Sequence, residues 1–196
     1  MDLQDQIMSH IQTFQTFSNL DLDLACAAAS LPGRLSLPNL RALCEPAARI
    51  LSNREGALRL DGLISIPREI LLIFSEHRGE LSLGGLASLE KEEAEILALH
   101  HGSLLLDGMT HLSVAMAKIF ARHQGPLSFF GLATLEPEVA AVLAQYQVPL
   151  CFSRLTPFPD TPEHRALDRK LRCQRYAGSL LKRRQAEARK FNRKHS

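Results

Sequence analysis

Tryptophan is absent from this 196-residue chain, and aromatic side chains make up only 6% of it. A core of large interlocking rings is thereby excluded, and a Leu- and Ala-rich composition suits stacked layers of aliphatic side chains instead. The four cysteines, Cys26, Cys44, Cys151 and Cys173, form no C-x-x-C and no close pair at metal-ligand spacing. Up to three of them read as small buried apolar residues, so a reducing, cytoplasmic compartment is expected. No apolar run approaches the ~20 residues that a membrane helix needs. The first residues carry Asp2 and Asp5 without an early Lys or Arg, so no signal peptide is expected.

The formal net charge of +2 conceals a strong segregation. From His164 to the end there are 12 Lys or Arg against Asp168 and Glu187, a net +10. Residues 1–163 hold 11 basic and 19 acidic side chains, a net −8. The chain is an acidic body with a basic tail.

What the sequence has in abundance is a period. Gly33, Gly56, Gly79, Gly102 and Gly125 each stand 23 residues after the one before, and a fixed step of this size marks a repeat architecture. With glycine at position 1, position 3 is Leu35, Leu58, Leu81, Leu104, Leu127 and Leu150, and position 5 is leucine or phenylalanine. This alternation predicts a very short strand with both side chains on one face. Position 7 is glycine in Gly62, Gly85, Gly108 and Gly131, where the chain turns sharply or takes a positive φ. Apolar residues at positions 16, 18 and 19, such as Ala94, Ile96 and Leu97, then follow a helical period. Pro46, Pro67, Ser113 and Pro137 mark the helix starts, and the next repeat's glycine is expected to cap each helix of about ten residues.

Three regions follow. Residues 1–32 read as an N-terminal cap, with an amphipathic helix around Leu3, Ile7, Ile11 and Phe14 and a degenerate first repeat counted from His10. Residues 33–158 form the 23-residue repeats. Residues 159–196 leave the pattern after Pro157, Pro159 and Pro162. There a first helical segment covers the last repeat, and a basic second one has too little apolar surface to pack fully.

The pattern L-x-L-x-G-L-x-x-L followed by an A-x-I-L helix, cleanest in Gly79 to His101, resembles bacterial leucine-rich-repeat proteins with 23-residue units. The resemblance covers roughly residues 33–158. It implies an α/β solenoid of about six repeats, with short parallel strands on one face, helices on the other, terminal caps, a right-handed gentle curve and a protein-binding strand face. This chain has a Gly-Leu pair where the usual repeat carries an asparagine, which puts the turn in a different geometry.

Three constellations carry candidate chemistry. His77, His100 and His123 share position 22, between Arg54 and Tyr146. Stacked repeats bring them ~5 Å apart, close enough to ligate a metal or titrate together. The structural alternative is a helix-terminal residue bonded to free carbonyls, and it is favoured because no carboxylate or cysteine shares the column. The second constellation is the exposed strand face, with Arg59, Asp61, Ser82, Leu105, Asp107, Ser128 and Phe130 as partner-binding residues. Leu105 and Phe130 would be its apolar anchors. The third is the tail, where Arg175, Lys182, Arg183, Arg184, Arg189, Lys190, Arg193 and Lys194 could neutralise phosphates. No nucleophile–base arrangement and no phosphate-cradling loop is legible, and no cofactor is implied. The expected function is a non-catalytic protein–protein interaction scaffold using the strand face. The alternative is a nucleic-acid-associated protein anchored by its tail. Nothing in the sequence fixes the oligomeric state.

Overall fold

A computed structural model of the chain describes residues 19–152 and 160–171. The expected N-terminal helix at Leu3–Phe14 and the whole basic segment beyond Leu171 lie outside the described residues.

The repeats form an α/β solenoid. Each begins with a two-residue strand, crosses through a buried turn to a helix, and returns. The strands are β1 (Asn19–Leu20), β2 (Leu35–Ser36), β3 (Ala42–Leu43), β4 (Leu58–Arg59), β5 (Leu81–Ser82), β6 (Leu104–Leu105), β7 (Leu127–Ser128) and β8 (Leu150–Cys151). The helices are α1 (Leu22–Ser30), α2 (Glu45–Ser52), α3 (Arg68–Ser75), α4 (Lys91–Leu97), α5 (Val114–Phe120) and α6 (Pro137–Ala144). A seventh, α7, covers 162–171. Strands β2, β4, β5, β6, β7 and β8 build one parallel sheet in that order. Its register pairs Leu35, Leu58, Leu81, Leu104, Leu127 and Leu150 in succession, the 23-residue step that the sequence predicts. Each helix from α1 to α6 packs on the next.

The layers between sheet and helices are aliphatic. Leu58, Leu81 and Leu104 from the strands are buried against Leu71, Ala94 and Ala117 from the helices, as are Leu51, Phe74, Leu97, Phe120 and Leu143. Alanine at position 16 in every repeat but that of α3, which has Leu71, lets the helices approach the sheet, and Phe129 meets Phe120 edge-on at 5.6 Å between centroids while stacking on Phe152 at 6.2 Å. The helix starts fall where expected. Ser113 caps α5 by accepting from the Met116 amide, Pro137 opens α6 and Pro46 sits in the first turn of α2. At α4, Glu90 and Glu93 form a reciprocal capping box.

Three expectations are corrected. The repeat helices α1 to α6 are 7–9 residues long rather than about ten, because the chain must leave the helix early enough to bring position 22 back over the glycine that opens its own repeat. The repeat glycines do not cap them. The residues after α2 to α6 are right-handed, and among the described residues only Gly33 and Gly56 have positive φ, at 78° and 96°. Cys26, Cys44 and Cys151 are exposed rather than buried, since they fall at positions that face away from the aliphatic layers.

Glycine is demanded instead by close approach. A Cβ on Gly102 would lie 2.0 Å from the carbonyl oxygen of Gly79, and one on Gly125 would lie 1.9 Å from that of Gly102. No side chain fits such a gap.

At the N-terminal end α1 occupies the helix position of a first repeat, with Ala25 and Ala28 buried against α2 and Asp21 capping it through the Leu24 amide. The strand beside this helix, β1, pairs with β3 in a separate two-stranded parallel sheet. At the other end α7 covers the last repeat as expected, burying Leu167 and Leu171. His164 bonds through Nε2 to the Leu135 carbonyl at 2.8 Å, and Lys170 donates to the Leu143 carbonyl at 2.9 Å. Among the described residues no helix is long and apolar enough to cross a membrane.

Two substitutions test this architecture by thermal melting. Leu83 is fully buried, and Leu83→Asp is expected to abolish the cooperative melt by burying an unpaired charge. Gly102→Ala is expected to cost about 1–3 kcal/mol by overpacking. At Gly33, where a Cβ meets nothing within 4 Å, alanine should cost only the left-handed backbone strain, about 1–2 kcal/mol. Equal melts for wild type and Gly102→Ala would refute the close-approach account.

Candidate functional site

The strand face and the histidine column lie on neighbouring sides of the solenoid, and the structure treats them differently. The column is a ladder of hydrogen bonds to glycine carbonyls. His77, His100 and His123 each place Nε2 3.1 Å from the carbonyl oxygen of Gly56, Gly79 and Gly102. Arg54 donates to the Gly33 carbonyl at 2.8 Å, and Tyr146 donates to that of Gly125 at 2.5 Å. Every one of these bonds joins residues 21 apart. Since a carbonyl only accepts, His100 and His123 carry their proton on Nε2, whereas His77 faces a carbonyl on both sides, with Nδ1 3.0 Å from the Ser52 oxygen.

The three rings are stacked at 6.2 and 6.1 Å between centroids and 9° between planes, and all three are buried. Desolvation, with the neighbouring His123 and His77 adding to it, pushes the His100 pKa down to about 4. Burial lowers His123 too. A cation at His100 or His123 is therefore disfavoured. No group of three or more His, Cys, Asp or Glu poised for a metal occurs among the described residues. Arginine and tyrosine fill the same role at the two ends, which chemistry peculiar to imidazole would not allow. The column caps the carbonyls, and the structural alternative accounts for it.

The strand face is partly self-bonded. Asp61 accepts from the Ser82 hydroxyl at 2.5 Å and from the Gly84 amide at 2.9 Å. Asp107 does the same one pair of repeats later, accepting from the Ser128 hydroxyl at 2.6 Å and the Phe130 amide at 3.1 Å. Arg59 pairs with the other oxygen of Asp61 at 3.1 Å. These carboxylates thus bridge adjacent repeats, and Ser82 and Ser128 are buried beneath them. Of the seven candidate residues, Leu105 is half-buried and Phe130 is 44% exposed. Leu105 lies in β6 and Phe130 in the turn after β7, whereas Asp61, Ser82, Asp107 and Ser128 join repeats. Sequence reasoning placed Asp61 and Asp107 on this face without finding their bridges. The signal was present as Asp at position 6 followed by Ser at position 4 of the next repeat, twice.

No family model, curated protein or solved structure matches the chain. The residues and their arrangement therefore carry the functional argument alone. The tail candidates Arg175, Lys182, Arg183, Arg184, Arg189, Lys190, Arg193 and Lys194 lie outside the described residues.

The column makes a pH prediction with a definite sign. A folded-state pKa below the ordinary histidine value means that the unfolded chain binds more protons, so stability is full above about pH 6.5 and falls as the pH drops towards 4. His100 alone should remove about 3 kcal/mol over that interval. Thermal melts from pH 7.5 to 4.5 check it, and His100→Gln is expected to flatten the acid limb. An equally steep limb in the variant would show that the loss arises elsewhere.

Proposed function

We propose that this chain is a non-catalytic scaffold that holds a protein partner against the outer face of its six-stranded sheet. The observation that carries the reading is Phe130, a large aromatic side chain left 44% exposed in the turn that follows β7 while its own backbone amide is held by Asp107. An aromatic anchor on a backbone that is already fixed loses little entropy on binding, and such anchors dominate contact energies. Leu105 stands one strand away, since it is in register with Ser128 of β7. Arg59, tethered to Asp61, supplies a charge at the far side of the same face. The resemblance to leucine-rich-repeat proteins points to the same surface, and a stacked sheet presents it as one extended area.

The test is a binding measurement on a partner captured by the wild-type chain. Phe130→Ala is expected to weaken that complex at least tenfold, about 1.4 kcal/mol or more, and Leu105→Ala to add to the loss. Arg49→Ala, on the exposed helix side, should leave the affinity unchanged. All three should melt close to wild type. A partner retained by the Phe130→Ala, Leu105→Ala double variant would place the contact elsewhere.

A further inference from the structure

The helix side contains a break in the repeat that the strand-face reading does not use. Position 17 is polar or small in the other repeats (Arg49, Glu95, Lys118, Ala141), but it is Leu72 in the repeat of α3. Position 21 is Asn53, Glu76, Arg122 and Gln145, but it is Leu99 after α4. Both leucines are exposed, by 47% and 63%. They line the same groove, with Ile96 and Ile119 on its floor and Glu92 and Glu95 on its rim. A second depression continues from Leu72 and Leu99 past Glu69 and Glu76. Towards the C-terminus, a third runs from Arg122 to Tyr146. The depressions thus form one track along the helix side, with its apolar widening at Leu72 and Leu99.

The described chain ends at the far end of that track. Lys170 donates to the Leu143 carbonyl at the end of α6, and its ammonium lies 5.4 Å from the centre of the Tyr146 ring. Beyond Leu171 follow 25 residues that hold nine Lys or Arg against Glu187 alone, together with Leu180, Leu181 and Phe191. Neighbouring helices lie about 8–10 Å apart, so α6 is about 30 Å from α3. An extended chain of that length spans up to ~80 Å, more than twice the distance. The body it would return to is acidic, with a net −8 over residues 1–163.

We propose that segment 172–196 of this chain docks back along the helix side, seating its apolar side chains against Leu72 and Leu99. Its lysines and arginines then lie beside Glu69, Glu76, Glu92 and Glu95. Arg49, Arg54, Arg68, Arg78, Lys118 and Arg122 stand along the same track, so the apolar contact fixes the position and the overall charge difference brings the segment in. The occupant is intramolecular because it is tethered within reach, which gives it a millimolar effective concentration.

Carbodiimide cross-linking of the full-length chain, followed by peptide mass spectrometry, tests this. Amide bonds from Lys182, Lys190 or Lys194 to those glutamates are expected in the monomer, at a yield independent of dilution. Leu72→Ser with Leu99→Ser should lower that yield at least fivefold, and the melt should show that the variant remains folded, since both side chains are exposed. The proposal is overturned if the cross-links are absent, if the double substitution leaves them unchanged, or if they occur only in concentration-dependent dimers. It is equally overturned if the free chain gives no such cross-links while it binds a DNA duplex with a steep salt dependence, because the segment is then a nucleic-acid anchor.

Discussion

Successive repeats meet where the Cα of one glycine lies against the carbonyl oxygen of the glycine 23 residues earlier, too closely for any side chain to intervene. That carbonyl would be left without a partner if the chain did not bring position 22 back over it. Arg54, His77, His100, His123 and Tyr146 do so, each with a donor suited to the site. Glycine and column residue are therefore two halves of one device. The glycine lets the backbones close up, and the side chain satisfies the oxygen that closure removes from water. The strand register, the helix spacing and the aliphatic layers all inherit the step it sets.

The same step organises the strand face by a second device. A carboxylate at position 6 reaches over the gap to a hydroxyl and an amide of the next repeat. Charge-assisted bonds of this kind join adjacent strands that are only two residues long. Asp61, Ser82, Asp107 and Ser128 on the face are thereby occupied with holding repeats together. Phe130 stands out because the earlier repeats carry Pro38, Asp61, Gly84 and Asp107 at its position.

A repeat also makes departures visible. Leu72 and Leu99 are ordinary residues in themselves, and single exposed leucines are common. They gain meaning because four other repeats put polar or small side chains at each of those positions, and because the fold brings both departures to one groove.

The sequence by itself determined the period, the register of the six strands, the aliphatic layers and the helix starts. Each follows from local spacing repeated many times, so that one geometry must satisfy every copy. Leu81 and Leu104 had to be neighbours once their strands were parallel and 23 residues apart. Only the tertiary structure decided why the glycines are glycine and which strand-face residues bridge to the next repeat. Those questions turn on atoms in different repeats: the Gly79 oxygen against Gly102, Asp61 against Ser82, β1 beside β3 rather than in the main sheet. Close approach between repeats and positive φ within one leave the same letter in the sequence, and an exposed cysteine is written like a buried one. Contacts between turns of the solenoid separate these cases, because burial and hydrogen bonding there depend on the stacked neighbour as well as on the repeat itself.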